Sequence, residues 1–231
     1  MDQIADFARI LSVWLLPVLL AITLHEAAHA WTAEKLGDDT ARRLGRVSFN
    51  PVRHVDPFGT FLLPGLLVLA GAPFVFGWAK PVPVAFHRLR RPKTDMIWVA
   101  LAGPGINIAM AVIAATAMHF TDLPPDWLGP WLHENLQNAV LVNLVLAAFN
   151  MLPLPPLDGG RVLVGVLPGP LAVRVARLER YGLLILIAAV FLLPMLAAQL
   201  GYQINPLAAL LLPMVQFLYD VVLLLSFWGA G

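Results

Sequence analysis

The sequence contains no cysteine, which excludes disulfide staples and any metal site built on thiolates. Charge is scarce too. Only 13% of the 231 residues are Asp, Glu, Lys or Arg, where a soluble globular domain carries about 25%. The few basic residues sit in short loops between apolar blocks, so a nucleic-acid partner is not expected. A cleavable leader is not expected either, because the first apolar block runs straight into His25 and Glu26 without a charged n-region or a small-residue cleavage site. No internal repeat or low-complexity tract is visible.

What is abundant is apolar sequence, 59% of the chain, and it falls in blocks rather than alternating. Six blocks stand out, at about 10–33, 59–77, 96–120, 136–157, 181–200 and 204–228. A helical span needs about 20 residues to cross a hydrocarbon core of about 30 Å, and five blocks meet that length. Block 59–77 is short and carries Pro64, Gly65, Gly71 and Pro73, which favour a bent or re-entrant segment over a straight span. Charge points the same way. Lys35, Arg42, Arg43, Arg46 and Arg53 precede this block, and Lys80, Arg88, Arg90, Arg91 and Lys93 follow it. A hairpin that enters and leaves on one side keeps both basic loops cytoplasmic. Loop 121–134 has Asp122, Asp126 and Glu134 and no Lys or Arg, whereas loop 158–180 has Arg161, Arg174, Arg177 and Arg180.

The expected fold is therefore an all-α polytopic membrane protein with five to six transmembrane helices and a re-entrant hairpin. On five spans its N-terminus is outside and its C-terminus inside. Residues 1–231 form one integral-membrane domain, with a catalytic core at about 8–165 and C-terminal spans at about 180–228. Leu44 to Phe49 has extended character. So does Lys80 to Phe86, a short membrane-associated β segment in which Pro81 and Pro83 allow only an edge or irregular strand.

His25-Glu26-Ala27-Ala28-His29 carries the chemistry. Residues four apart lie on one helix face, so both imidazoles reach one ion, and Glu26 is placed to act as general base toward an attacking water. Such residues inside an apolar span are costly and mark a functional site by default. Catalytic zinc usually takes three protein ligands. Asp158 is the leading third ligand, where an apolar block ends in proline and glycine around one carboxylate; Glu134 and Glu179 are rivals. Starting at Ile10, His25 lies about 22 Å along its span, in the inner half of the bilayer, and Asp158 arrives at the same face.

These residues match a known pattern. The chain resembles the site-2 protease family of intramembrane zinc metalloproteases, the M50 peptidases. The resemblance covers most of residues 20–165 and rests on His25 to His29, on Ala102-Gly103-Pro104-Gly105-Ile106-Asn107, and on Asn150 through Gly160 with Leu157-Asp158-Gly159-Gly160. Phe49-Asn50-Pro51, His54-Val55-Asp56-Pro57 and Gly77-Trp78-Ala79-Lys80-Pro81 are similar to one subgroup. The resemblance implies that His25, His29 and Asp158 bind one Zn2+, that Glu26 is the catalytic base and that Asn150 lines the site near the scissile carbonyl. It also implies a compact member without a PDZ or CBS domain. Its substrate would be a transmembrane protein, cleaved in the cell membrane with the active site toward the cytoplasmic side.

The remaining polar residues carry plainer expectations. Asn150 could donate to a developing oxyanion, worth about 3 kcal/mol, or make an interhelical hydrogen bond. Gly103, Gly105 and Ala109 form a small-residue stripe read as helix packing, and Asn107 is read as structural. His54 and Asp56 are expected to play a supporting role, and His87, His119 and His133 are not expected to be ligands. A different class of protein, a transporter or scaffold with a structural metal, predicts the same ligands without cleavage.

Overall fold

The computed structural model describes residues 2–62, 66, 80–202 and 205–226. Among them regular structure is helical throughout and no strand occurs. Helix α1 is Asp2–Lys35, 34 residues long. Pro17 inside it removes the N–H that would bond the Val13 carbonyl, and Asn138 from a neighbouring helix donates to that carbonyl at 3.1 Å. A short turn α2, Thr40–Arg43, follows. Helix α3, Pro92–Met118, begins with proline at its first position, where a missing N–H is tolerated. The Asp95 carboxylate accepts the Arg91 N–H at 2.8 Å and closes that end. Helix α4 is Gly129–Asn150. Helices α1, α3 and α4 pack on one another and form the centre of the fold. Beyond them lie the short α5, Asp158–Val166, and α6, Gly169–Ala176, then α7, Glu179–Gln199, and α8, Pro206–Leu225.

The packing is that of a membrane bundle. Its buried apolar residues are mostly alanine, among them Ala21, Ala30, Ala33, Ala111, Ala147 and Ala148, which let helix backbones approach closely. Large apolar side chains such as Leu16, Ile113, Leu184 and Leu224 face outward. Among the described residues four helices are long and apolar enough to cross a membrane: Ala8–Lys35, Pro92–Met118, Glu179–Gln199 and Pro206–Leu225. Helix α4 has the length, at 22 residues, but spends several positions on amides and charges, Asn135 and Asn143 being buried.

Several expectations change. The fourth apolar block ends as a helix at Asn150, and residues 151–157 are turns, because Pro153, Pro155 and Pro156 cannot continue the backbone ladder. Most of block 59–77 lies outside the described residues. Its flanks are described: a π-helical turn at Pro57–Leu62, and a hydrogen bond from Lys80 N–H to the His54 carbonyl at 2.8 Å that brings the two ends together. The segment expected as a β element, Lys80 to Phe86, pairs with no strand, and neither does Leu44 to Phe49. Proline removes two donors from the former, and the N–H groups of Val82 and Ala85 go instead to the carboxylates of Glu26, at 2.7 Å, and Asp38, at 2.6 Å.

The two ends of the described chain lie at one end of the bundle, not at opposite ends. Arg9 pairs with Glu134 of α4 at 2.8 Å, and His119, just past α3, donates to the Ser226 carbonyl at 3.1 Å. Both termini of the described chain thus lie at the end of the bundle where α3 turns into α4. Helix α8 lays Val215, Leu218 and Val222 against the cluster that holds Ala111, Ala114 and Ala115 of α3. Hydropathy counts such helices but carries no direction.

Candidate metal centre

His25 and His29 occupy one face of α1, one turn apart. Asp158 opens α5 after the turn that follows α4. The turn and the helix start are pressed together. A Cβ on Gly159 would lie 2.2 Å from the Met151 carbonyl oxygen, and one on Gly160 2.1 Å from the Pro155 nitrogen. Only glycine allows that approach, and it delivers the Asp158 carboxylate to α1.

The three side chains are buried, at 6%, 6% and 4% exposure. The Asp158 Oδ2 atom lies 3.3 Å from His25 Nε2 and 3.2 Å from His29 Nε2, and the two Nε2 atoms are 3.0 Å apart. Among the described residues this is the group of ligand-type side chains whose atoms converge, all within 4.8 Å.

The outer nitrogens explain what such a cluster wants. His29 Nδ1 is 2.7 Å from the Val99 carbonyl and His25 Nδ1 is 2.6 Å from the Asn107 Oδ1. Both partners are acceptors, so each Nδ1 carries the proton and each Nε2 presents a bare lone pair. Asp158 Oδ2 is itself buried without a hydrogen-bond donor. Three electron-rich atoms facing one another in a desolvated space repel unless a cation sits among them. Ligands about 2.0–2.1 Å from a tetrahedral zinc are about 3.3 Å apart, close to the separations here. The residues fit the ion.

Helix α3 supplies the floor. Val99, Gly103 and Asn107 recur every four residues on one stripe: a carbonyl for one imidazole, a gap, and an amide for the other. The gap matters, since a Cβ on Gly103 would lie 2.4 Å from His29 Nε2 and 2.6 Å from His25 Cε1. The stripe read from sequence as helix packing is therefore, at Gly103, room for the ligands, and Asn107 touches one of them. Gly105 has open space around it. The buried Asn143 gave no sequence signal beyond being an amide in an apolar block.

Glu26 follows His25 and is half-buried, its Oε2 bonded to the Val82 N–H. Asn150 closes α4, and its amide donates to the Leu146 carbonyl at 3.0 Å within its own helix. Glu134 is engaged by Arg9, and neither it nor Glu179 joins the cluster. The other histidines with described partners are held elsewhere: His54 Nε2 donates to the Ser48 carbonyl, His119 Nε2 to the Ser226 carbonyl, and His133 contacts Thr121 and Gln137.

A His-Glu-x-x-His pair on one membrane helix, completed by a distant carboxylate inside the bundle, defines an intramembrane zinc metalloprotease. Comparison with known proteins gives the family. Residues 129–193 match the model for peptidase family M50. The chain is 37% identical to YwhC of Bacillus subtilis over 174 residues, which cover 73% of this chain and 75% of that one. It is 32% identical to Rip2 of Mycobacterium tuberculosis over 156 residues, 66% of this chain and 55% of Rip2. It is also 29% identical over 76 residues to zinc metalloprotease MJ0392 of Methanocaldococcus jannaschii, 33% of this chain and 21% of that protein. No solved structure matches. The chain belongs to peptidase family M50, and its His25, His29 and Asp158 form the zinc site of that family.

Proposed function

We propose that this protease hydrolyses a peptide bond in or near the transmembrane segment of a substrate protein, with Glu26 as general base and Asn150 as a donor to the oxyanion. The observation that carries the reading is the placement of a half-buried carboxylate, Glu26, directly beside a buried ligand cluster on the same helix. Zinc, when bound, supplies Lewis-acid polarisation and lowers the pKa of water toward about 7. The Glu26 carboxylate takes the proton of the attacking water. It then delivers that proton to the leaving amine, so water is consumed and one acid and one amine result. The Asn150 amide would leave its Leu146 carbonyl to meet the charge that develops on the scissile oxygen.

A substrate helix hides its carbonyls in its own hydrogen bonds and must unwind first. The extended stretch around Val82–Phe86 is the proposed receiver, by strand addition. Its attachment to Glu26 through the Val82 N–H supports a place beside the reaction. The finer topology belongs to the same proposal. Residues 1–231 form one domain with a catalytic core at about 8–165, and α4 is a further span; block 59–77, read from sequence as a re-entrant hairpin, lies mostly outside the described residues, and the bond between Lys80 and His54 joins its flanks. The basic loops around that hairpin and the ends of α1 and α3 nearest them face the cytoplasm of the cell membrane, and the metal centre lies toward that side.

Co-expression with candidate single-span proteins tests the reading. Glu26→Gln is expected to retain zinc and lose cleavage products. Full cleavage without Glu26 would favour a structural metal in a transporter or scaffold.

A further inference from the structure

The amide groups behind His25 form a chain with a fixed direction. Asn143 on α4 donates its Nδ2 to the Ala139 carbonyl at 2.8 Å. That leaves its Oδ1 to accept from Asn107 Nδ2 at 2.7 Å. Asn107 Nδ2 also reaches the Ala21 carbonyl at 3.2 Å, and its Oδ1 faces His25 Nδ1 at 2.6 Å. Both asparagines are fully buried, at 0% exposure.

Neither amide can turn over. A rotated Asn143 would aim its oxygen at the Ala139 carbonyl and its NH2 at the NH2 of Asn107. A rotated Asn107 would put oxygen against the Ala21 carbonyl and against Asn143 Oδ1. For groups this deeply buried each of these contacts replaces a hydrogen bond by repulsion between like poles. Two backbone carbonyls that cannot move thus orient two amides, and the second amide requires a donor at His25 Nδ1.

We propose that Asn143 is a positioning residue for the metal centre, acting through Asn107 to hold His25 with its proton on Nδ1 and its Nε2 free for the ion. Asn143 touches no ligand. Its role is to keep Asn107 in the one orientation that selects this tautomer, as outer hydrogen bonds do for metal-bound imidazoles in general. His29 needs no such relay, because a carbonyl of α3 meets its Nδ1 directly.

The inference takes the zinc centre as given and is tested without proteolysis, so failure of the proposed substrate or of Glu26 as base would leave it standing. Zinc affinity of the purified full chain in detergent is measured by chelator competition for wild type, Asn143→Leu, Asn107→Leu and the double variant, with metal-free thermal stability recorded alongside. Loss of partners around metal-bound histidines costs about 10–100-fold in affinity. Asn143→Leu is expected to weaken binding about 10-fold and Asn107→Leu at least as much, with the double variant no weaker than Asn107→Leu. Wild-type affinity in folded Asn143→Leu, or losses that multiply in the double variant, would overturn the relay. A second measurement needs no variant at position 143: in metal-free protein labelled with 15N-histidine, the His25 ring, assigned by its absence in His25→Ala, should be protonated at Nδ1. A ring protonated at Nε2 and bare at Nδ1 would overturn the proposal equally.

Discussion

Replacing Gly103 with alanine places one methyl group in the space where the two imidazoles meet α3. The new carbon would sit 2.4 Å from His29 Nε2 and 2.6 Å from both His25 Cε1 and His29 Cε1, about 1 Å inside ordinary contact. The rings cannot step aside freely, since His29 is tied to the Val99 carbonyl and His25 to Asn107. A shift of that size breaks ligand geometry, so zinc affinity should fall by about 10–100-fold and turnover by about 100-fold. The metal-free fold meets the same clash, offset only in part because alanine is a better helix former than glycine by about 1 kcal/mol.

Gly105 is the internal control, because nothing lies within 4 Å of a Cβ there. Chelator competition for zinc and thermal melts of metal-free protein in detergent read the two effects separately. The expected pattern is weak zinc binding with a lowered but measurable melting temperature in Gly103→Ala, and wild-type zinc binding in Gly105→Ala. Equal zinc affinity in the two variants would refute the assignment of Gly103 to the metal centre.

Asp158→Ala should purify without zinc while Glu179→Ala keeps it, as metal analysis of the two proteins would show. Val84→Pro is expected to slow cleavage of a single-span substrate with zinc content intact, and unchanged turnover would remove the strand-addition role of Val82–Phe86. Asp38 gives a pH dependence outside the spans. Burial pushes its carboxyl up, but hydrogen bonds from the Thr40 hydroxyl, the Ala85 N–H and the Thr40 N–H, with the Arg88 charge, more than offset this and hold it below the usual range. A lowered folded pKa means that the contribution is complete above the unfolded value of about 3.9 and fades as pH falls through the folded value. Exchange protection of the Ala85 amide should therefore hold down to about pH 4 and decline below it, with Asp38→Asn removing that dependence.

How much of this was legible in the sequence differs by residue, for physical reasons. His25 and His29 could be read because four residues make one helical turn, so the spacing alone places both rings on one face. Asp158 was legible from proline and glycine around a single carboxylate. The reason for the two glycines after it, close approach of the turn at Met151 and Pro155, is a tertiary fact. Gly103 was visible only as part of a small-residue stripe with Gly105 and Ala109, and small residues on a membrane helix serve packing as well as clearance, which sequence does not separate. Asn143 had no distinguishing neighbour. The direction of α8 was not legible, because an apolar run is equally hydrophobic in either sense. The contact of His119 with the Ser226 carbonyl shows where its C-terminal end lies. Lys80 to Phe86 was read as a β segment, but Phe86 opens a 3-10 turn and the Val82 and Ala85 N–H groups meet carboxylates rather than a strand.

Zinc K-edge X-ray absorption of the purified wild-type chain bears most directly on the metal centre. The expected result is about one zinc per chain, with two imidazoles and oxygen at about 2.0–2.1 Å, and loss of the signal in His25→Ala and Asp158→Ala. Protein that binds no zinc, or zinc whose shell lacks imidazole and survives both substitutions, would contradict it.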